Sequence, residues 1–206
     1  MKDIKLQEKT LRISGKITIA TYRAGMVEAL MPLLQERKSI LHLSKSSAWS
    51  DYFQRLEAKI ADIKAAYFIR TAIECPNLIM DSPNYGLDLI IQRLIGMNTY
   101  SLNITFGEIG TGATAPALSD TALTSPTNRA AVGFQQDFGQ TDAIVQFFFS
   151  DSQLANQAYN EFGTFIDGTT TIGSGQLFNH ALLSPAYNKI AGQDTTVQVD
   201  IAVANS

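Results

Sequence analysis

At 206 residues and 22.5 kDa, the chain has room for one domain with elaborations. Apolar residues make up 45 % and charged ones 17 %, enough for a real core and fewer charges than the roughly 25 % usual in soluble domains. A net charge of −3 lacks the basic excess of a general nucleic-acid binder, a single cysteine excludes an internal disulfide or a cysteine zinc site, and two histidines leave little for metal or acid–base chemistry. No apolar run approaches the roughly 20 residues a spanning helix needs, so no membrane contact is expected. The polar start, Met1-Lys2-Asp3-Ile4-Lys5, does not read as a signal peptide.

In chain order, residues 11–23 alternate as a strand, with Ile17 and Ile19 on one face and Lys16 and Thr18 on the other. The period then becomes helical at Met26, Leu30, Leu33 and Leu34; Pro32 marks either the start of that helix or a kink in it. Ser44-Lys45-Ser46-Ser47 offers a helix entry with serine as N-cap. Trp49, Phe53, Leu56, Ile60, Ile63 and Tyr67 then fall at alternating spacings of four and three, one continuous helical stripe. That stripe either packs on the chain's own body or meets another subunit, and Trp49, Phe53, Leu56, Ile60 and Ile63 are the candidate interface. Tyr67 to Cys75 reads as β. A helix from about Asn84 follows, over 84–95, with Leu87, Ile90, Ile91, Leu94 and Ile95 as its apolar face and Gly96 as its stop.

Beyond residue 100 the chain reads as strand and turn. Ser101–Phe106 alternate loosely, and Gly107, Gly110, Gly112, Pro116 and Asp120 punctuate a long loop through residue 123. Ile144–Phe149 and Thr164–Asp167 are strands, and His180 lies in another. The closing strand alternates Val197, Val199, Ile201 and Val203 with polar or small residues. No repeat of 20–50 residues is visible. Residues 1–100 hold 14 Lys or Arg against 10 Asp or Glu, a net of +4, whereas 101–206 hold only Arg129 and Lys189 against nine acids. Such asymmetry follows from secondary structure, or orients copies in an assembly.

The expected fold is mainly β (α+β), an antiparallel β-sandwich with a helical insertion near the N-terminus. Its body spans 10–23 and 66–206, and residues 24–65 form the insertion.

Tests for chemistry come out against it. Gly107-Glu108-Ile109-Gly110-Thr111-Gly112 lacks both the following helix and the lysine of a phosphate loop, so its glycines are assigned to turns with positive φ. His42, in Ile40-Leu41-His42-Leu43, reads as packed, and Cys75 as a small core residue. Neither His180 nor Glu108, Asp120, Glu161 and Asp167 shows a pattern marking a triad or a carboxylate pair. No catalytic residue, cofactor, metal or small-molecule ligand is expected.

An ordered set of short motifs remains. Pro76-Asn77-Leu78-Ile79 precedes Gly86-Leu87; then come Ile109-Gly110-Thr111-Gly112-Ala113-Thr114-Ala115-Pro116-Ala117-Leu118-Ser119-Asp120-Thr121-Ala122-Leu123 and Arg129. Glu161-Phe162-Gly163-Thr164-Phe165, Gly175-Gln176-Leu177-Phe178, Pro185 and Lys189 follow, before the closing strand. Together these resemble a group of tailed-bacteriophage virion proteins, small β-sandwich-like tail, fibre-attachment or baseplate subunits, over about residues 10–23 and 66–204. Two departures stand out: Asn179 replaces an arginine common in the group, and residues 24–65 interrupt it. The resemblance implies a non-enzymatic structural subunit of the phage tail, baseplate or neck, assembled with other virion proteins as a symmetric homo-oligomer in the virion after synthesis in the host cytoplasm. The alternatives are a capsid decoration protein and a carbohydrate-binding module of a tail fibre, using the aromatic strand and the loops near Tyr159.

Overall fold

The computed structural model describes residues 11–41, 47–139 and 141–205. His42 and the expected capping serines Ser44 and Ser46 lie outside them. Nine strands form: β1 (Leu11–Arg23), β2 (Phe68–Pro76), β3 (Leu78–Ile79), β4 (Ile104–Gly110), β5 (Pro126–Asp137), β6 (Asp142–Phe149), β7 (Ala158–Ile166), β8 (Gln176–Asn188) and β9 (Gln193–Asn205). Three helices accompany them: α1 (Met26–Ile40), α2 (Ser47–Tyr67) and α3 (Gly86–Leu94).

The strands join in one antiparallel sheet ordered β2-β1-β9-β6-β5-β4-β7-β8-β3. The fold is mainly β, as expected, but its halves are continuous. Strand β5 pairs with β4 through residues 126–131 and with β6 through 132–137, so it turns the corner between them. At the other end, Asn77 alone separates β2, paired to β1, from β3, paired to β8, and its N–H donates to the Gly15 carbonyl at 3.2 Å. The sheet is therefore nearly closed. Alternation places Ile17, Ile19, Phe147, Phe149, Val197 and Val199 from one half against Ile109, Phe162, Ala181 and Leu183 from the other, in a single inner core.

Several boundaries differ from the sequence reading. The strand expected at 164–167 is the end of β7, with Asp167 outside it at φ 53°. Helix α2 runs on through Tyr67, past the expected insertion bound at 65, and the helix expected over 84–95 spans Gly86–Leu94. The expected strand at 101–106 is shifted to Ile104–Gly110, so Gly107 and Gly110 belong to the strand and the loop runs from 111 to 125. Strand β5 was not foreseen, because each of its halves is paired on a different side and its burial follows no simple alternation.

Helices α1 and α2 lie on the outer face of β1, β6 and the second half of β5. Met26, Leu30 and Leu34 of α1 and Leu56 and Ile60 of α2 pack on Tyr22, Phe134 and Phe148. Pro32 is the seventh residue of α1, past the first-turn positions whose N–H groups have no partner, so the helix continues through it without the bond to the Glu28 carbonyl. The N-cap position of α1 is Gly25 in a left-handed conformation (φ 95°), with no side chain to cap the helix. Buried Asp194 of β9 supplies the cap from afar, accepting the Val27 N–H at 2.9 Å and the Asp151 N–H at 2.8 Å. The insertion is thus fastened to the body at its first turn. Gly86 opens α3 at φ 49°, where a Cβ would collide with the Met80 backbone.

Candidate functional site

The strand register builds a row of chemistry-bearing residues on the outer face of β5, β4, β7 and β8. Arg129 pairs with Glu108, Glu108 with Gly163, and Gly163 with His180. Their neighbours Ile109, Phe162 and Ala181 point into the core, which turns this row outward. Glu161 sits on the same face two residues before Gly163, opposite Gly110. Even so, Glu108, Glu161 and His180 are fully buried, because residues 111–125 and 167–175 lie over them. Gly163 leaves the space that Leu123 fills: a Cβ there would lie 2.9 Å from the Leu123 side chain.

Each buried charge has its counterpart. Arg129 forms an ion pair with Glu108, donates to the Ser174 carbonyl at 2.7 Å, and lies 4.7 and 4.8 Å from the ring centres of Phe106 and Phe165. The Gly173 N–H donates to Glu108 Oε1 at 2.6 Å, which pins the 167–175 loop. Glu161 accepts the N–H groups of Gly112 (3.0 Å), Ser125 (2.6 Å) and Thr124 (2.9 Å), one at the start of the 111–125 loop and two at its end. His180 Nε2 lies 3.2 Å from Glu161 Oε2, and Nδ1 lies 2.9 Å from Asp120 Oδ2, which also accepts the Ala117 N–H.

The protonation states follow from this geometry. Burial by itself would raise the Glu161 carboxyl, but the His180 hydrogen bond and three N–H donors reverse it, so its pKa falls below the ordinary value. Burial would lower His180, but Glu161 and Asp120 outweigh it, so its pKa rises, and the ring when protonated has a carboxylate oxygen to receive each N–H. Glu161, His180 and Asp120 therefore form one connected row from β7 through β8 to the loop. A phosphate loop would offer these N–H groups to a ligand. Here Glu161 takes three of them.

The sequence-flagged loop residues find their places around this cluster. Gly112 and Asp120 meet Glu161 and His180, Gly110 lies against Glu161, and Pro116 borders a cleft beside Leu78 and His180. The expected positive φ at Gly110 and Gly112 is not found. Both are glycine because a Cβ would lie 2.5 Å from Glu161 Oε1, and Gly107 because one would meet Phe162 at 2.6 Å. Close approach, not backbone handedness, sets these positions. Cys75 is buried and burial pushes its thiol pKa up, as a core role requires.

The candidate interface stripe divides. Leu56 and Ile60 are only 4 % and 3 % exposed and are covered within the chain, so these two are core and cannot reach a neighbour. Ile63 is half-buried against the same cluster, while Trp49 stacks on Phe53 at 4.9 Å and donates to the Ile40 carbonyl at 3.2 Å. Helix α1 and the sheet supply that cover, which is why a full stripe on α2 demands no partner. Sequence reasoning also missed Asp194 as a cap and the ion pair of buried Lys189 with Asp151; single polar residues in strands and turns carry no periodic signal.

Compared with known proteins, the chain matches no family, no curated protein and no solved structure. Among the described residues, no helix is long and apolar enough to cross a membrane.

Proposed function

We propose that the chain is a non-enzymatic structural subunit of a bacteriophage particle, placed in the tail, baseplate or neck and acting through protein–protein assembly. The observation that carries this reading is spatial. The motifs behind the virion resemblance, separate in sequence, form one unit: Glu161 of Glu161–Phe165 holds Gly112, Thr124 and Ser125, and Arg129 binds Ser174 beside Gly175. Their residue types serve mutual support: Glu161 is satisfied by loop backbone and His180. Glu108 and Arg129 hold one another and the 167–175 loop, with Glu108 Oε2 and Arg129 Nε left without a partner among the described residues. Such a unit gives a particle subunit a rigid body without an open reactive centre. The genes flanking this one test the reading. Portal, sheath or baseplate genes are expected beside it, and a metabolic operon would overturn the assignment.

A further inference from the structure

Helix α3 covers the end of the sheet with only part of its apolar surface. Leu89, Leu87 and Ile90 pack on Ile79, Phe178, Ile13 and Ile201. Ile91, Leu94 and Ile95, adjacent at spacings of three and four, face outward with Met97 just beyond the helix, each between 51 and 74 % exposed. From residue 89 to 107 the sequence holds no acid and a single base, Arg93. A cluster of this size and charge is more than the scattered exposed apolar residues every surface carries.

The β5–β6 hairpin reaches the same end of the molecule. Asp142 pairs with Ala202 of β9 and the Thr141 carbonyl accepts the Val203 N–H at 2.8 Å, while the neighbouring Ile201 packs in the α3 cluster. At the hairpin, Phe138 is 58 % exposed and flanked by Asp137 and Asp142. One end of the molecule thus carries an apolar patch with a base and an aromatic knob between two acids.

We infer that this end is a two-fold contact between two copies of the chain, in which Phe138 of each copy seats on Ile91, Leu94 and Ile95 of the other and Arg93 faces Asp137 and Asp142. Meeting like to like would set Arg93 against Arg93 and the acids against each other. The crossed arrangement pairs opposite charges, and a two-fold axis makes every such contact twice. The α2 stripe takes no part, since its central residues are core. The inference rests on the assembly reading above and specifies its surface.

Sedimentation velocity of the full chain over a range of concentrations tests it. The wild type should form a dimer that Leu94→Asp or Phe138→Asp weakens at least about tenfold. Arg93→Asp should weaken it too, and adding Asp142→Arg should restore it. All these side chains are exposed, so melting curves taken dilute enough for every protein to be monomeric should move little, Arg93→Asp losing only its hydrogen bond to Asn98. A dimer indifferent to every one of these variants would refute the surface and leave the assembly reading standing. A wild type that stays monomeric throughout would refute the contact, while the flanking genes still decide the particle assignment. A monomer that floats with phosphatidylglycerol vesicles, and ceases to do so as Leu94→Asp, would give the face to a bilayer and refute the second copy.

Discussion

The two outer faces of the sheet are covered by opposite means. Over β1, β6 and the second half of β5 lie two helices that bring an apolar stripe and lower cations from above: Arg37 sits 4.1 Å and Lys64 4.8 Å from the Phe134 ring centre. Over β4, β7, β8 and the first half of β5 lie loops, and the charges rise from the strands to meet them. A helix satisfies its own backbone and needs only an apolar face to settle on a sheet. A loop arrives with unpaired N–H groups, so the surface beneath it must supply acceptors. Burying Glu161 and Glu108 is the cost of covering a sheet with irregular chain.

The sharpest way to break this contrast is Glu161→Ala. It orphans three loop N–H groups and leaves the His180 charge without its inner partner, and losing one member of a buried pair costs about 3–5 kcal/mol. Urea unfolding should show that loss, and amide exchange should quicken in 111–125 before α1 and α2. Equal quickening in all three would mean the loop is not separately held. The pH profile carries the same signature. Glu161 has a lowered folded pKa, so its contribution is present above the ordinary 4.5 and is lost as pH falls through the folded value. His180 has a raised one, so its contribution is full below the ordinary 6.5 and is lost as pH rises through the folded value. These two groups together favour stability between 4.5 and 6.5. His180→Gln should flatten the alkaline side of that maximum, and a slope unchanged by this substitution would remove His180 from the account.

The same contrast decides what could be read in the sequence. Strands β1 and β9 and the stripe on α2 were legible because burial on one side imprints a period of two or of 3.6 on the residues. That stripe named the right residues but not their partner, since periodicity shows that a face is buried and never against what. The loop glycines were visible, yet their cause was not: Gly112 is fixed by a carboxylate 49 residues away. His180 and Glu161 belong to different strands and find each other only through register. On α3, periodicity overstated burial, because Ile91, Leu94 and Ile95 continue the helical pattern past the edge of the surface that covers it.

On the helical face, Leu56→Ala should cost about 2–5 kcal/mol through the lost contacts and the cavity left between α1, α2 and the sheet. Its effect should add to that of a loop variant, because the two clusters share no side chain. A strongly non-additive double mutant would show that both covers fold as one. The matched loop variant is Gly112→Ala. A Cβ 2.5 Å from Glu161 Oε1 forces the carboxylate or the loop to shift, at about 1–3 kcal/mol. If that variant melts with the wild type, the close-approach account of the glycine is wrong.

A further effect, read in the pH profile alone, separates the faces by sign. Burial lowers the Lys64 ammonium to about 8, an effect that Glu57 opposes and Arg37 reinforces. Its Nζ donates to Gln146 at 2.5 Å, and Gln146 in turn donates to Gln198 at 2.6 Å. Because the folded pKa lies below the ordinary 10.5, the unfolded chain holds the extra proton between about 8 and 10.5, and stability gains from this group as pH rises through that window. His180 acts in the opposite direction above 6.5. Lys64→Met keeps the apolar stem over Phe134 and Phe148, removes the desolvated charge, and leaves Gln146 one donor short. It should therefore steepen the alkaline fall in stability between about 8 and 10.5, where Lys64 no longer offsets other losses. Unfolding free energies at pH 7, 8.5 and 10 would measure that difference. Parallel profiles for the variant and the wild type would mean that Lys64 is solvated as an ordinary lysine and that the helical face, unlike the loop face, holds no titrating charge.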